Sequence, residues 1–118
     1  MNNSILDSVK SSIGIASDYD VFDDEIIMSV NSTLAVLYQL GIGPTDGYAI
    51  TGDADTWDDL LGVDVPLNMV KSYIYVKTKL AIDPPSTSFA IQALETQASE
   101  YEWRMVVAKE QLDMAKEA

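Results

Sequence analysis

The sequence predicts an all-α protein: a small bundle of about four to five helices with a long C-terminal helix and one irregular loop. Three observations lead to this prediction. Apolar residues recur at intervals of three and four along most of the chain, as they do on one face of a helix. Glycine and proline fall between these periodic stretches, where helices end. Residues 41–55 are the least regular part of the chain, and they are too few to build a sheet.

The length and composition fit one domain over residues 1–118. Hydrophobic residues make up 47% of the chain, which is typical of a globular protein. A domain of this size buries roughly 65% of the surface that its unfolded chain exposes. It can therefore form a core without disulfides or a structural metal.

Two helices are predicted in the first third of the chain. The first covers residues 4–13, and Gly14 suits the left-handed conformation that follows a helix. After a linker, the second covers about residues 22–40 and ends at Gly41. Acidic residues 23–25 fall in its first turn, where negative charge complements the helix dipole.

Residues 41–55 are rich in turn-forming residues, and a short helix follows them. Within this loop, residues 48–51 are a possible short extended piece that could pair with the edge of another chain. Thr56 is a candidate N-cap for the short helix, and Gly62 would close it. Trp57 lies at its start, where a tryptophan usually anchors a local core; an interface anchor is the alternative.

The next helix is expected to begin near Pro66 and to run to about Ile82. Proline suits a first helical position, and the prolines at 84 and 85 stop the helix. Apolar residues lie on two of its faces. A helix that is apolar on most sides is usually central, so we expect this helix to be the middle of the bundle.

The last predicted helix begins at Ser86 or Ser88 and runs to about Met114. Such a helix is roughly 43 Å long, whereas a compact domain of this size is about 35 Å across. Its end should therefore either fray or pack against another chain. Its main apolar seam repeats at heptad spacing through Ile91, Leu94, Ala98, Tyr101, Met105, Ala108 and Leu112. Trp103, Val106 and Val107 lie off this seam, so the helix carries apolar groups on more than one side.

Acidic residues dominate the charge, with nineteen acids, seven bases and a net charge of −12. Residues 1–64 carry twelve of the acids and a single base, Lys10. This field repels nucleic acids and anionic lipids. Two interpretations stay open: the acids maintain solubility, or the acidic half lies where DNA passes or a basic partner docks.

The sequence lacks the residue types on which most catalytic sites and transition-metal sites depend. Without histidine or cysteine the chain lacks the commonest general base and the usual zinc ligands. Asp53, Asp55, Asp59 and Asp64 match positions one, three, seven and twelve of a calcium-binding loop. However, Trp57 occupies the ligand position five, and Asp58 occupies the position where the turn needs glycine. We therefore expect no catalytic residue, no cofactor and no metal, and do not expect an enzyme.

Neither export nor membrane insertion is expected. The N-terminal residues contain no basic region followed by an apolar run, as a signal peptide would. No stretch approaches the roughly 20 apolar residues that a membrane helix needs.

Several segments together, in their order and spacing, resemble the head–tail connector proteins of bacteriophages. The resemblance extends over about residues 4–110. The segments that carry it are residues 18–27 (DYDVFDDEII), 39–44 (QLGIGP), 47–50 (GYAI), 56–62 (TWDDLLG), 70–77 (VKSYIYVK), 83–85 (DPP) and 102–104 (EWR).

The resemblance implies a helical bundle that works as a virion structural protein. Such proteins assemble as a ring beneath the portal, matching its twelvefold symmetry, and extend the DNA channel; head-completion and tail proteins then dock on them. DNA would pass without being bound sequence-specifically. The expected location is the head–tail junction of the virion, after synthesis in the host bacterial cytoplasm. No catalytic residue comes with the resemblance.

Assembly contacts are therefore the functional residues to predict. The irregular loop and the over-long last helix are the natural contact elements, and the candidates are Tyr48, Ile50, Trp57, Trp103, Val107 and Leu112. The main alternative function is an acidic inhibitor that mimics DNA and binds a DNA-binding protein. A magnesium-dependent helical nucleotide hydrolase is a second alternative.

Overall fold

A computed structural model of the chain describes residues 3–61 and 67–117. Within these residues it contains five helices and no strand, which confirms the predicted all-α class. The helices are α1 (Ile5–Ser12), α2 (Asp23–Gln39), α3 (Trp57–Leu61), α4 (Leu67–Ile82) and α5 (Ser88–Glu117). The predicted helix boundaries at Gly62 and Pro66 lie outside the described residues.

The first two helices end in the same hydrogen-bonding motif, with a left-handed glycine after the last turn. After α2, Gly41 (φ 83°) donates its N–H to Tyr38 O, and Ile42 donates to Leu37 O. After α1, Gly14 takes the same conformation. This pair of bonds is a Schellman motif, which satisfies carbonyls that would otherwise lack partners at a helix end.

Short polar side chains cap the starts of three helices. Ser4 Oγ accepts from the Asp7 N–H at the start of α1, 3.2 Å away. Thr56 caps α3, as predicted, through the Asp59 N–H, and Thr87 caps α5 through the Ala90 N–H. Each cap satisfies one of the free N–H groups of a first helical turn.

Helix α4 is the central helix, as its apolar pattern predicted. It contacts α1, α2 and α5. Val70, Tyr73 and Ile74 are fully buried along it. The core they join combines side chains from all five helices and from the loop between α2 and α3.

Helix α5 packs on α4 along the middle of the predicted seam. Ala98 and Met105 are buried there, whereas Leu94, Tyr101 and Leu112 are half-buried. The helix has 30 residues, hence a length of roughly 45 Å. The protein measures 48 × 35 × 24 Å along its principal axes. The helix is thus longer than either of the two shorter dimensions.

No helix of the described part combines the length and the apolar content that crossing a bilayer requires.

Candidate functional site

The loop between α2 and α3 is held to the bundle by one asparagine of α2. Asn31 Oδ1 accepts from the Ile50 N–H at 2.7 Å, and Asn31 Nδ2 donates to Ile50 O at 3.0 Å. A side-chain amide thereby supplies the two bonds that a neighbouring strand would supply. Ile50 is buried beneath this contact. Both backbone groups of Ile50 are already bonded within the chain, so this residue does not present a free strand edge.

Asp55 organises the second half of the loop. Its Oδ2 accepts from the Thr51 N–H at 2.7 Å and from the Gly52 N–H at 3.3 Å. The Tyr48 hydroxyl donates to its Oδ1 at 3.3 Å. These bonds turn the chain back toward α1, where the Ile5 N–H donates to Asp55 O.

These contacts shift the pKa values of both partners. Burial, reinforced by the charge of the Asp55 carboxylate, raises the pKa of Tyr48 to about 12. The Thr51 N–H, helped by that of Gly52, lowers the pKa of Asp55 below its ordinary value. The carboxylate is therefore ionised at neutral pH and occupied by hydrogen bonds of its own loop.

Trp57 is part of the core of the protomer. Its side chain is fully buried, and its Nε1 donates to Ser8 Oγ on α1 at 3.1 Å. Tyr75 of α4 meets the ring edge-on, and Lys71 Nζ lies 5.2 Å from the ring centroid. The interpretation of Trp57 as a local core anchor is confirmed.

A buried ion pair fixes the linker between α1 and α2. Lys10 is only 1% exposed, and its Nζ lies 2.7 Å from Asp23 Oδ1 and 3.0 Å from Ser17 O. Beside it the linker exposes Tyr19, Val21 and Phe22. Phe22 also lines a groove of about 330 Å³, together with Ile13, Ile15, Glu25, Ile82 and Asp83.

The face of α5 that points away from α4 carries large apolar side chains that are exposed to solvent. Phe89 is 83% exposed, Trp103 67% and Met114 68%. Eight positions on this face follow one another at alternating steps of four and three residues: Phe89, Ala93, Thr96, Glu100, Trp103, Val107, Glu110 and Met114. We call these eight residues the outer row. All of them are exposed except Val107, which is half-buried.

The six predicted contact residues do not form one surface. Ile50 and Trp57 are buried in the protomer, and Tyr48 is half-buried against Asp55. Trp103 and Val107 lie together in the outer row, and Leu112 is half-buried on the side toward the core. As assembly contacts, all six stay predictions.

Two features of these surfaces were not predicted. The burial of Lys10 has no signal in the local sequence, since it depends on the linker that folds over it. The outer row has little signal in the sequence, because Thr96, Glu100 and Glu110 interrupt its apolar residues. The sequence places Trp103 and Val107 off the inner seam, but it does not predict the row that contains them.

The described residues offer no cluster of three or more possible ligands for a metal ion. Asp55, a candidate ligand of the calcium-like loop, points to the N–H groups of Thr51 and Gly52. Asp64, the last position of that pattern, lies outside the described residues.

A family model described as "Phage connector protein" matches residues 5–112 of the chain. The match covers all of α1 to α4 and most of α5, including every described element of the core. Neither the curated proteins nor the solved structures contain a match to this chain.

Proposed function

The chain belongs to the phage connector protein family, and from this premise we propose that it is a subunit of a head–tail connector ring. The family is structural rather than enzymatic. In the proposed role the subunit assembles with copies of itself and docks on the portal. The ring then extends the DNA channel and receives the next head-completion or tail proteins, at the head–tail junction of the virion.

The outer row of α5 is the observation that carries this proposal beyond the family assignment. Monomeric proteins rarely leave several large apolar side chains exposed along one line, and such patches mark interaction surfaces. Phe89, Trp103 and Met114 span most of a helix roughly 45 Å long. A protein that assembles with others needs an exposed apolar surface for its contacts, whereas a protein that acts alone does not.

The charge distribution supports the passage of DNA without binding. Exposed acids lie on the linker, the start of α2, the loop and α3; they are Asp18, Asp20, Asp24, Glu25, Asp46, Asp53, Asp58 and Asp59. If these residues face the lumen of the ring, phosphates are repelled and DNA slides instead of sticking. Electron microscopy of assembled rings tests this orientation, and acids on the outside of the ring would refute it.

The test of the proposed function is the mass of the particle. Sedimentation of the purified protein, alone and then with the portal protein of the same phage, should show a large closed oligomer or a complex that forms only with the portal. Trp103→Ala should weaken that assembly, whereas Met28→Ala, which removes another exposed apolar side chain from α2, should not. A monomer under both conditions contradicts the proposal.

A further inference from the structure

We propose that the groove between the end of α1, the start of α2 and the end of α4 binds an arginine side chain of a partner protein. We call it the linker groove, and its lining residues are Ile13, Ile15, Phe22, Glu25, Ile82 and Asp83. None of them belongs to the outer row of α5. The inference therefore goes beyond the proposed function and does not depend on it.

The walls of the linker groove suit the hydrocarbon stem of a long side chain. Ile13, Ile15 and Ile82 are half-buried, pack against the core and line the groove. The groove encloses about 330 Å³, near the lower end of the roughly 300–1,000 Å³ of ligand sites, so it suits a side chain rather than a whole helix. Arginine and lysine cover their methylene stems with apolar surface of this kind and keep the charged head in a polar environment.

The charged groups of the linker groove favour a cation. Glu25 and Asp83 are the two charged residues that line it. Asp83 pairs with Lys79 at 2.8 Å, whereas no base among residues 3–61 and 67–117 pairs with Glu25. A cation in the groove therefore meets an available carboxylate. An apolar group would cover Glu25 without compensating its charge, and an anion would be repelled.

The ring of Phe22 favours arginine over lysine. Phe22 and Glu25 lie three residues apart at the start of α2, so their side chains are neighbours, and both line the groove. Phe22 is 39% exposed, which leaves its ring accessible. A planar guanidinium stacks on an aromatic face and hydrogen-bonds to a carboxylate at the same time, whereas an ammonium is compact and more strongly hydrated.

The linker holds the groove in place before a partner binds. Lys10 Nζ contacts Asp23 Oδ1 and Ser17 O, and the Ile15 N–H donates to Lys10 O at 2.8 Å. The Asp23 N–H donates to Asp20 O at 3.2 Å. Because these bonds already order the linker, binding requires little further loss of conformational entropy there.

The arginine is assigned to a different protein because the arginine of this chain is already engaged. Arg104 is the only arginine in the sequence. Its Nε and Nη2 both donate to Glu100 Oε1, at 3.0 Å and 2.7 Å, and insertion into the groove of a second copy would break both bonds. Contacts between copies in the proposed ring would use other surfaces, the outer row among them.

Two short peptides of otherwise identical sequence test the inference. One has an arginine between two leucines, and the other has citrulline there, which keeps the shape of the side chain without its charge. Titration of the full chain, followed by nuclear magnetic resonance, should place the arginine peptide at Phe22, Glu25 and Ile82. It should bind about tenfold more tightly than the citrulline peptide, because citrulline makes no charge-assisted hydrogen bond from a cation.

Substitutions separate the groove from the general acidity of the protein. Glu25→Gln should abolish the preference for arginine over citrulline. The matched control is Asp24→Asn, which removes an exposed acid from the same helical turn but not from the groove, and it should keep the preference. Phe22→Ala should weaken the binding of the arginine peptide, whereas Met28→Ala should not. Equal losses in Glu25→Gln and Asp24→Asn would overturn the inference, as would shifts that spread over the acidic surface instead of the groove.

The outcome for the proposed function can be read separately by sedimentation with the portal protein. If the chain assembles but the arginine peptide does not bind in the groove, the inference fails and the connector role stands. If the peptide binds as described but the chain never assembles, the connector role fails and the inference stands. If Arg104→Gln and Glu25→Gln both dissociate an oligomer of the chain alone, the arginine of a second copy fills the groove and the inference is wrong.

Discussion

Lys10 shows how one side chain determines the path of a linker. It is the only base among the first 64 residues, and it is buried with Asp23 as its ionic partner and Ser17 O as its acceptor. The pair joins the end of α1 to the start of α2. Because the desolvated ammonium is compensated by these two groups, removing either charge leaves the other one buried or half-buried and unpaired.

Lys10→Met should therefore be strongly destabilising although it keeps the length of the side chain. We expect a loss of about 3 kcal/mol in the free energy of unfolding, at the lower end for a buried pair because Asp23 is still 27% exposed. Urea denaturation measures it. The matched control is Lys79→Met, which breaks the exposed Lys79–Asp83 pair and should cost less than about 1 kcal/mol. Equal losses in the two variants would contradict the structural role of Lys10.

The loop between α2 and α3 is an element whose order depends on ionised Asp55. The pKa of Asp55 is lower in the folded protein than its ordinary value of 3.8, chiefly through the Thr51 N–H. A lowered pKa means that folding favours the carboxylate. Its contribution to stability is therefore complete above the unfolded-state pKa and is lost as the pH falls through the folded-state pKa.

Asp55→Asn should lose about 1 kcal/mol of stability at pH 7, because the amide is a weaker acceptor for the N–H groups of Thr51 and Gly52. The difference from the wild type should shrink as the pH is lowered from about 5 toward about 2. Urea denaturation at several pH values checks this. Asp53→Asn, an exposed neighbour, serves as the control and should change little. A difference that stays constant down to pH 2 would refute the ionic origin of the effect.

Among the elements of the fold, the helices were predicted well, because the features that specify each helix lie within its own segment. Apolar periodicity and stop residues are contained within each helix, so the order of the helices, the central position of α4 and the stop at Gly41 followed directly. The contacts that fix the loop are not local. Asn31 reaches Ile50 across 19 residues, and Trp57 reaches Ser8 across 49. Neither contact can be predicted from the residue pattern of one segment, because its two partners lie in different segments.

The candidate surface was predictable only in part for a related reason. Heptad spacing identified the inner seam of α5, which faces α4. The outer row has the same spacing but contains Thr96, Glu100 and Glu110 among its apolar residues, so it does not stand out as a hydrophobic stripe. The structure shows which side of α5 packs on α4, and the large apolar residues on the opposite side are therefore the ones left exposed to solvent.

For the molecule as a whole, the unbalanced charge should limit stability. Twelve acids and one base in residues 1–64 repel one another more strongly in the compact state than in the unfolded chain, where they are further apart. Salt screens this repulsion, since the Debye length falls from about 30 Å at 0.01 M to about 3 Å at 1 M. The buried Lys10–Asp23 pair is screened much less, so added salt should have a net stabilising effect.

The melting temperature should accordingly rise with sodium chloride from about 0.01 M to about 1 M. A variant with four exposed loop acids replaced by amides (Asp18→Asn, Asp20→Asn, Asp46→Asn and Asp53→Asn) should be more stable than the wild type at low salt. The two curves should converge at high salt, because screening removes the same repulsion that the substitutions remove. Scanning calorimetry at matched protein concentration measures both. If the melting temperatures of the two proteins instead rise in parallel with salt, the four acids act through local contacts. Repulsion among the acids would then make no measurable contribution to stability.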